Sequence, residues 1–213
     1  MKKRLKIISR AMQLGMLGVA IAGPLTGNMT WLLAALFSLL ISEVPSMLRR
    51  DLRMVLPAGL NFWLVLALFL HVVGGYSGLY DDVAGWDHLT HAMTSSLMAA
   101  LGFVVVVSID KYVVSIRLPP AFLAVFIVVF TMAIGVFWEV IEYAMDALTG
   151  THLQYSLDDT MLDLFFDSFA GLAVAAAGTY YLRTTSPDHF IEEMNIGGAT
   201  ENLKDMRKKL EGG

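Results

Sequence analysis

Three segments of this 213-residue chain carry side chains that could do chemistry together. Trp86-Asp87-His88-Leu89-Thr90-His91 would place Asp87, His88 and His91 within about 100° of arc on a helix, with Ser95 continuing that face. Trp138-Glu139-Val140-Ile141-Glu142-Tyr143-Ala144-Met145-Asp146 would set Glu139, Glu142, Tyr143 and Asp146 on one stripe. In the third, Asp159, Asp163 and Asp167 step down one side, the last two roughly 6 and 12 Å below the first at helical rise. Imidazoles beside several carboxylates form a nitrogen and oxygen ligand set suited to Zn²⁺, Mn²⁺ or Fe²⁺, whereas all-oxygen sets suit Mg²⁺ or Ca²⁺. The candidate ligands are Asp87, His88, His91, Glu139, Glu142, Asp159, Asp163 and Asp167, with Glu142 and Asp163 also as candidate catalytic groups. Their number allows two ions, as in carboxylate-bridged helical sites. The rival is a proton-sharing polar cluster. So many acids cannot all be ionised in a dry, crowded site, so either protons or a cation must neutralise part of the charge.

The elements that must hold these residues are membrane helices. Hydrophobic residues make up 56% of the chain and charged residues 16%, and the mean hydropathy is +0.63, all displaced from soluble values toward a bilayer protein. Apolar runs of about 20 residues, enough to cross roughly 30 Å of hydrocarbon, recur along most of the length. They predict six spans, at about 7–23, 29–48, 54–75, 87–109, 119–145 and 159–182, in an all-α six-helix transmembrane domain over 1–183. A polar tail follows at 184–213, its 200–210 stretch reading as a short charged helix or a frayed end. Turn chemistry marks the breaks: Gly23-Pro24 after the first span, Gly74-Gly75 after the third, Pro119-Pro120 before the fifth and Gly150 before the sixth.

All 15 Lys and Arg fall at the ends that this alternation assigns to one side, so both termini are expected in the cytoplasm of a cell (inner or plasma) membrane. The Lys-rich start followed by Ala20-Ile21-Ala22 also resembles a cleavable signal peptide, but a second apolar span follows at once, which favours a retained helical hairpin. The Asn28-Met29-Thr30 sequon lies in that tight loop and is read as chance. A net charge of −4 without a basic face argues against nucleic-acid partners, and the absence of cysteine excludes disulfides and thiolate ligands. The opposite, extracytoplasmic half then holds the three segments above, together with Asp81, Asp82, Asp158, His71 and His152, and no Lys or Arg. Acids in a membrane are costly and normally pair or line a functional cavity.

Plainer readings apply to the remaining residues. Asp81, Asp82 and Asp158 are expected to be solvated, with Asp158 or Asp159 as an N-cap. His71 is expected to be a packing histidine and His152 a loop residue. Trp86, Trp138, Tyr76, Tyr80 and Tyr143 fit an interfacial aromatic belt. Gly171, Ala175 and Gly178 form a small-residue packing face, and Glu43 and Asp110 are expected to serve nearby basic groups.

The order Asp87 and His91, then Glu139 and Glu142, then Asp159-Thr160 and Asp163 before Ala170-Gly171, resembles the YjdF-type bacterial and archaeal membrane proteins. Through its last three helices the chain also resembles the VanZ-like proteins linked to glycopeptide resistance. The resemblance spans roughly residues 50–182 and implies a polytopic fold without a settled activity. It also implies that the position of His88 is often basic and that of Asp167 can be apolar, which leaves Asp87, His91, Glu139, Glu142, Asp159 and Asp163 as the first tier.

Three functions are open at this level. One is a metal-dependent hydrolase or lipid-modifying enzyme acting on a lipid or lipid-linked envelope substrate. Another is a non-catalytic cation-binding or proton-coupled protein, and the third is an accessory envelope protein. A nucleophile elbow of the Gly-x-Ser-x-Gly type is absent from the sequence, so a serine hydrolase is not indicated.

Overall fold

The computed structural model describes residues 2–51, 53–112, 118–184, 192, 194, 195, 197 and 198. All regular structure among them is α-helical: α1 Lys2–Leu25, α2 Met29–Ser42, α3 Val44–Asp51, α4 Ala58–Tyr76, α5 Leu79–Asp82, α6 Trp86–Tyr112, α7 Pro120–Thr149 and α8 Leu157–Thr184. Among the described residues, six helical stretches are long and apolar enough to cross a membrane, α2 and α3 together counting as one. A bilayer core offers no water to unpaired amides, so runs of this length satisfy their backbone internally as helices. Their outward side chains are apolar, as with Leu33 and Phe37 on α2, Val129 and Phe137 on α7, and Phe165 and Phe169 on α8. Surfaces this apolar are those of membrane contact.

The predicted 29–48 span is interrupted at Glu43, where α2 gives way to α3. Pro45 explains the break, since its ring and missing N–H cannot continue the preceding helix. The predicted 54–75 span starts late, at Ala58, because Pro57 holds extended geometry (φ −51°, ψ 141°) and serves as the N-cap. Arg117 and the charged 200–210 stretch lie outside the described residues.

The described residues divide into two compact units, one within Met1–Val83 and Ser186–Gly213 and the other within Ala84–Thr185. In the first, α1, α2 and α4 pack on one another. Met12, Met16, Val19, Ala20, Ala35, Val65 and Val72 form the core, so at least two methionines are structural filler. His71 is satisfied within this packing: its Nδ1 lies 2.8 Å from the Tyr80 hydroxyl, and its ring stands edge-on to Trp31 and Tyr80. Glu43 pairs with Arg10 at 2.9 Å, as its position suggests. Met194 is buried, and its carbonyl accepts from the Val55 amide at 2.9 Å.

In the second unit α6, α7 and α8 each contact the other two. The small-residue face of α8 is where they close: a Cβ on Gly171 would press on Thr131 of α7, and one on Gly178 on Phe103 of α6. Pro120 occupies the first turn of α7, where its missing N–H costs nothing, and Gly150 ends that helix at φ 69°. Asp110 accepts from the Leu118 amide at 2.7 Å. The start of α8 corrects one expectation: Ser156, not Asp158 or Asp159, caps the helix, its Oγ accepting from the Asp159 amide at 3.1 Å. Asp158 and Asp159 fall instead in the first turn, where negative charge complements the helix dipole.

The indole of Trp31 lies flat against Gly75, where any Cβ would overlap its ring. Gly75→Ala is expected to lower stability by about 1–3 kcal/mol. Gly59→Ala, which meets open space, should leave it unchanged. Thermal unfolding in detergent followed by circular dichroism compares the two.

Candidate functional site

The first turns of α6, the last turns of α7 and the first turns of α8 meet at one end of the second unit, and with them the eight predicted ligands. Three groups of three have ligand atoms within 4.8 Å of one another: Asp87, His91 and Asp163; His88, Asp159 and Asp163; and His91, Glu139 and Glu142. His91 belongs to two groups and Asp163 to two, so the three form a continuous chain. Asp167 belongs to none of them.

The contacts within this chain differ in kind. His88 Nδ1 is 2.7 Å from Asp163 Oδ1, a direct hydrogen-bonded pair, and the His88 ring stacks on Phe166 at 5.3 Å. His91 makes longer contacts: Nε2 is 3.7 Å from Asp87 Oδ1 and 4.0 Å from Glu139 Oε1, and Nδ1 is 3.6 Å from Asp167 Oδ1. Two ligands on one tetrahedral ion, each about 2.1 Å from it, sit roughly 3.4 Å apart, so the Nε2 spacings are slightly wider than those of a shared ion.

Burial makes these spacings costly. His91, Glu139, Asp163 and Asp167 are all buried, with Asp167 1% exposed and Asp163 2%. Glu139 Oε1 and Asp167 Oδ2 have no hydrogen-bond partner among the described residues. An unpaired buried carboxylate oxygen carries its full desolvation penalty. Among the described residues no Lys or Arg pairs with these carboxylates; Arg10 pairs with Glu43 and Arg50 with Asp51, both in the first unit.

Glu139 and Glu142 each have one oxygen held by a residue outside the eight predicted ligands. Glu139 Oε2 accepts from the Gln154 side chain at 3.1 Å, and the same amide reaches the Glu139 carbonyl at 3.2 Å. Gln154 is placed by Asp146, whose carboxylate accepts from Thr151 Oγ1, the Leu153 amide and the Gln154 amide at 2.8, 2.8 and 2.9 Å. Asp146 is thus a loop organiser, although it shares the stripe of Glu139 and Glu142. Trp138 Nε1 donates to Glu142 Oε1 at 2.8 Å, one helical turn away, so this belt residue also touches the cluster. Tyr143, by contrast, is turned outward and exposed, as is His152 in the loop. The i, i+4 spacing of Trp138 and Glu142 is a readable signal. Nothing local marks Gln154.

Six membrane-length helices with a buried Asp/His/Glu cluster at one end of the last three describe a polytopic membrane protein. Over residues 6–184 the chain matches the family described as Predicted membrane protein (DUF2238), and it belongs to that family, to which the YjdF-type resemblance also points. It is 31% identical over 115 residues to an uncharacterised protein of Thermotoga maritima, a match covering 53% of this chain and 57% of that relative. The chain therefore spans somewhat more than half the length of the curated relative it matches. No solved structure matches it.

Replacing His88 with Phe keeps a ring against Phe166 but leaves Asp163 without its short partner. His88→Phe should cost on the order of 2 kcal/mol, while His88→Phe with Asp163→Leu should recover most of it, because removing both partners of a buried pair is close to neutral. Thermal midpoints of the single and double variants in one detergent check this.

Proposed function

We propose that this chain binds a divalent metal between α6, α7 and α8 and acts on a lipid or lipid-linked envelope substrate from the extracytoplasmic side of the cell membrane. The observation that carries this reading is the buried, partnerless Glu139 Oε1, 4.0 Å from His91 Nε2, inside a chain of acids that no Lys or Arg neutralises among the described residues. A cation resolves that arrangement more completely than protons do, because it also draws together contacts too long for hydrogen bonds. The mixed nitrogen and oxygen donors favour Zn²⁺, Mn²⁺ or Fe²⁺. His91 with Asp87, Asp163 and Glu139 would hold the first ion, with Glu142 beside it. His88, Asp159 and Asp163 mark where a second would bind.

When bound, such an ion polarises a phosphoryl or acyl oxygen and lowers the pKa of water toward neutrality. The protein's own groups then have separate tasks. Glu142, half-buried and tethered at one oxygen by Trp138, accepts a proton at its other oxygen. Asp163 links the two ligand groups and fixes their separation. The outward face beside the cluster is apolar, with Phe165 and Leu162 exposed on α8, so a substrate reaches it laterally from the lipid. The VanZ-like resemblance of the last three helices fits an envelope substrate. The orientation rests on the placement of Lys and Arg.

Elemental mass spectrometry of the detergent-purified protein tests the metal. About one or two equivalents of a transition metal are expected, lost in His91→Ala and Glu139→Gln. No metal after reloading, with the variants unchanged in stability, would leave a protonated polar cluster in a proton-coupled or accessory protein. With metal present, His91→Ala and Glu142→Gln should abolish turnover of envelope lipids while leaving the helical fold intact, and active variants would refute the catalytic assignment.

The chain has no cysteine, so orientation is read from single introduced ones. A membrane-impermeant maleimide should label His152→Cys in intact spheroplasts and Lys3→Cys only after permeabilisation. The reverse pattern would put the cluster in the cytoplasm.

A further inference from the structure

Asp167 stands apart from the other acids. It lies one helical turn below Asp163 on α8, is 1% exposed, and belongs to none of the three ligand groups. Its Oδ1 accepts from Ser95 Oγ at 2.6 Å, a short buried hydrogen bond between α8 and α6, and faces His91 Nδ1 at 3.6 Å. Its Oδ2 packs against Gly135 of α7, where a Cβ would occupy the same space. All three helices therefore fix this carboxylate: α8 carries it, Ser95 of α6 orients it, and α7 makes room for it by lacking a side chain.

The imidazole of His91 is held between two sides. Nδ1 faces Asp167, and Nε2 faces Asp87 and Glu139. A ring whose two nitrogens have different tasks needs something to decide which one carries the fixed proton, and here the nearer carboxylate, Asp167 at 3.6 Å and held in place by Ser95, favours Nδ1 over Nε2, whose acids lie at 3.7 and 4.0 Å. Apolar packing could hold the ring plane but could not distinguish the nitrogens.

We infer that Asp167, oriented by Ser95 and seated against Gly135, is a positioning residue for His91 whose carboxylate, facing Nδ1, favours the proton on that nitrogen and so commits Nε2 to the Asp87, Glu139 and Glu142 side. Asp167 thus acts through His91 and is not itself a ligand. The effect on metal affinity rests on the proposed metal site; the effect on the ring does not.

Two readouts on the full-length protein in detergent separate these statements. The first is the His91 Nδ1–H resonance in protein labelled with ¹⁵N-histidine, assigned by its loss in His91→Gln. The second is Zn²⁺ affinity by competition with a chromophoric chelator. Asp167→Asn is expected to shift or broaden the Nδ1–H signal and to weaken Zn²⁺ binding roughly 10- to 100-fold without changing its stoichiometry. Gly135→Ala, which displaces Asp167, should act in the same direction, and Ser95→Ala more mildly. Gly102→Ala crowds Phe130 elsewhere between α6 and α7 and serves as the packing control, expected to leave the resonance unmoved.

An unmoved resonance and unchanged Zn²⁺ affinity in both Asp167→Asn and Ser95→Ala would overturn the inference, as would an equal shift in Gly102→Ala. If the wild type binds no Zn²⁺, the Nδ1–H signal alone decides the role of Asp167. Should Asp167→Asn not fold, Ser95→Ala and Gly135→Ala carry the same test.

Discussion

Carboxylates buried in helices of membrane length, with no Lys or Arg against them among the described residues, impose the constraint on which the second unit is organised. Each such group must meet a donor, share a proton or hold a cation, because hydrocarbon offers nothing else. The arrangement distributes that burden unevenly. Asp163 takes a direct bond from His88, and Asp146 takes three bonds from a loop. Glu142 takes one from an indole, and Asp167 one from Ser95. The shortfall is left at Glu139 and around His91, where contacts lengthen to 3.6–4.0 Å. Close packing of α6, α7 and α8 through Gly171 and Gly178 keeps the three sets of side chains at one level.

Most of the fold was legible in the sequence because a bilayer simplifies the code. Runs of apolar residues near 20 long have one stable conformation there, and the described residues hold six helical stretches long and apolar enough to cross a membrane. Where the reading slipped, local chemistry explains it: Pro45 interrupts the second span, Pro57 delays the third, and Ser156 takes the cap assigned to Asp158 or Asp159. The packing roles of His71 and of the small residues on α8 were also readable, the first from its isolation and the second from spacing.

The candidate site was legible as a set of faces, since helical periodicity brings Asp87, His88 and His91 onto one side of α6 and the acids of α8 onto another. It was not legible as a network. Gln154 reaches Glu139 only because the loop after Gly150 folds back, a path set by the Asp146 carboxylate and invisible to any periodicity. Gly135 carries no functional group, so its importance lies in an absence that only the neighbouring Asp167 reveals. Grouping His91 with acids on both of its nitrogens likewise required the helices to be placed against one another.

The fold-back of that loop has a mechanical side. One carboxylate, Asp146, holds Thr151, Leu153 and Gln154 at once, and Gln154 in turn grips Glu139 by both its side chain and its carbonyl. The segment from 150 to 154 is therefore a clasp fastened at the helix end rather than a free connector, and it ties the exposed Leu153, through Asp146 and Gln154, to a carboxylate buried two helical turns deeper. An exposed loop and a buried acid with an unpartnered oxygen are thus joined through three hydrogen bonds.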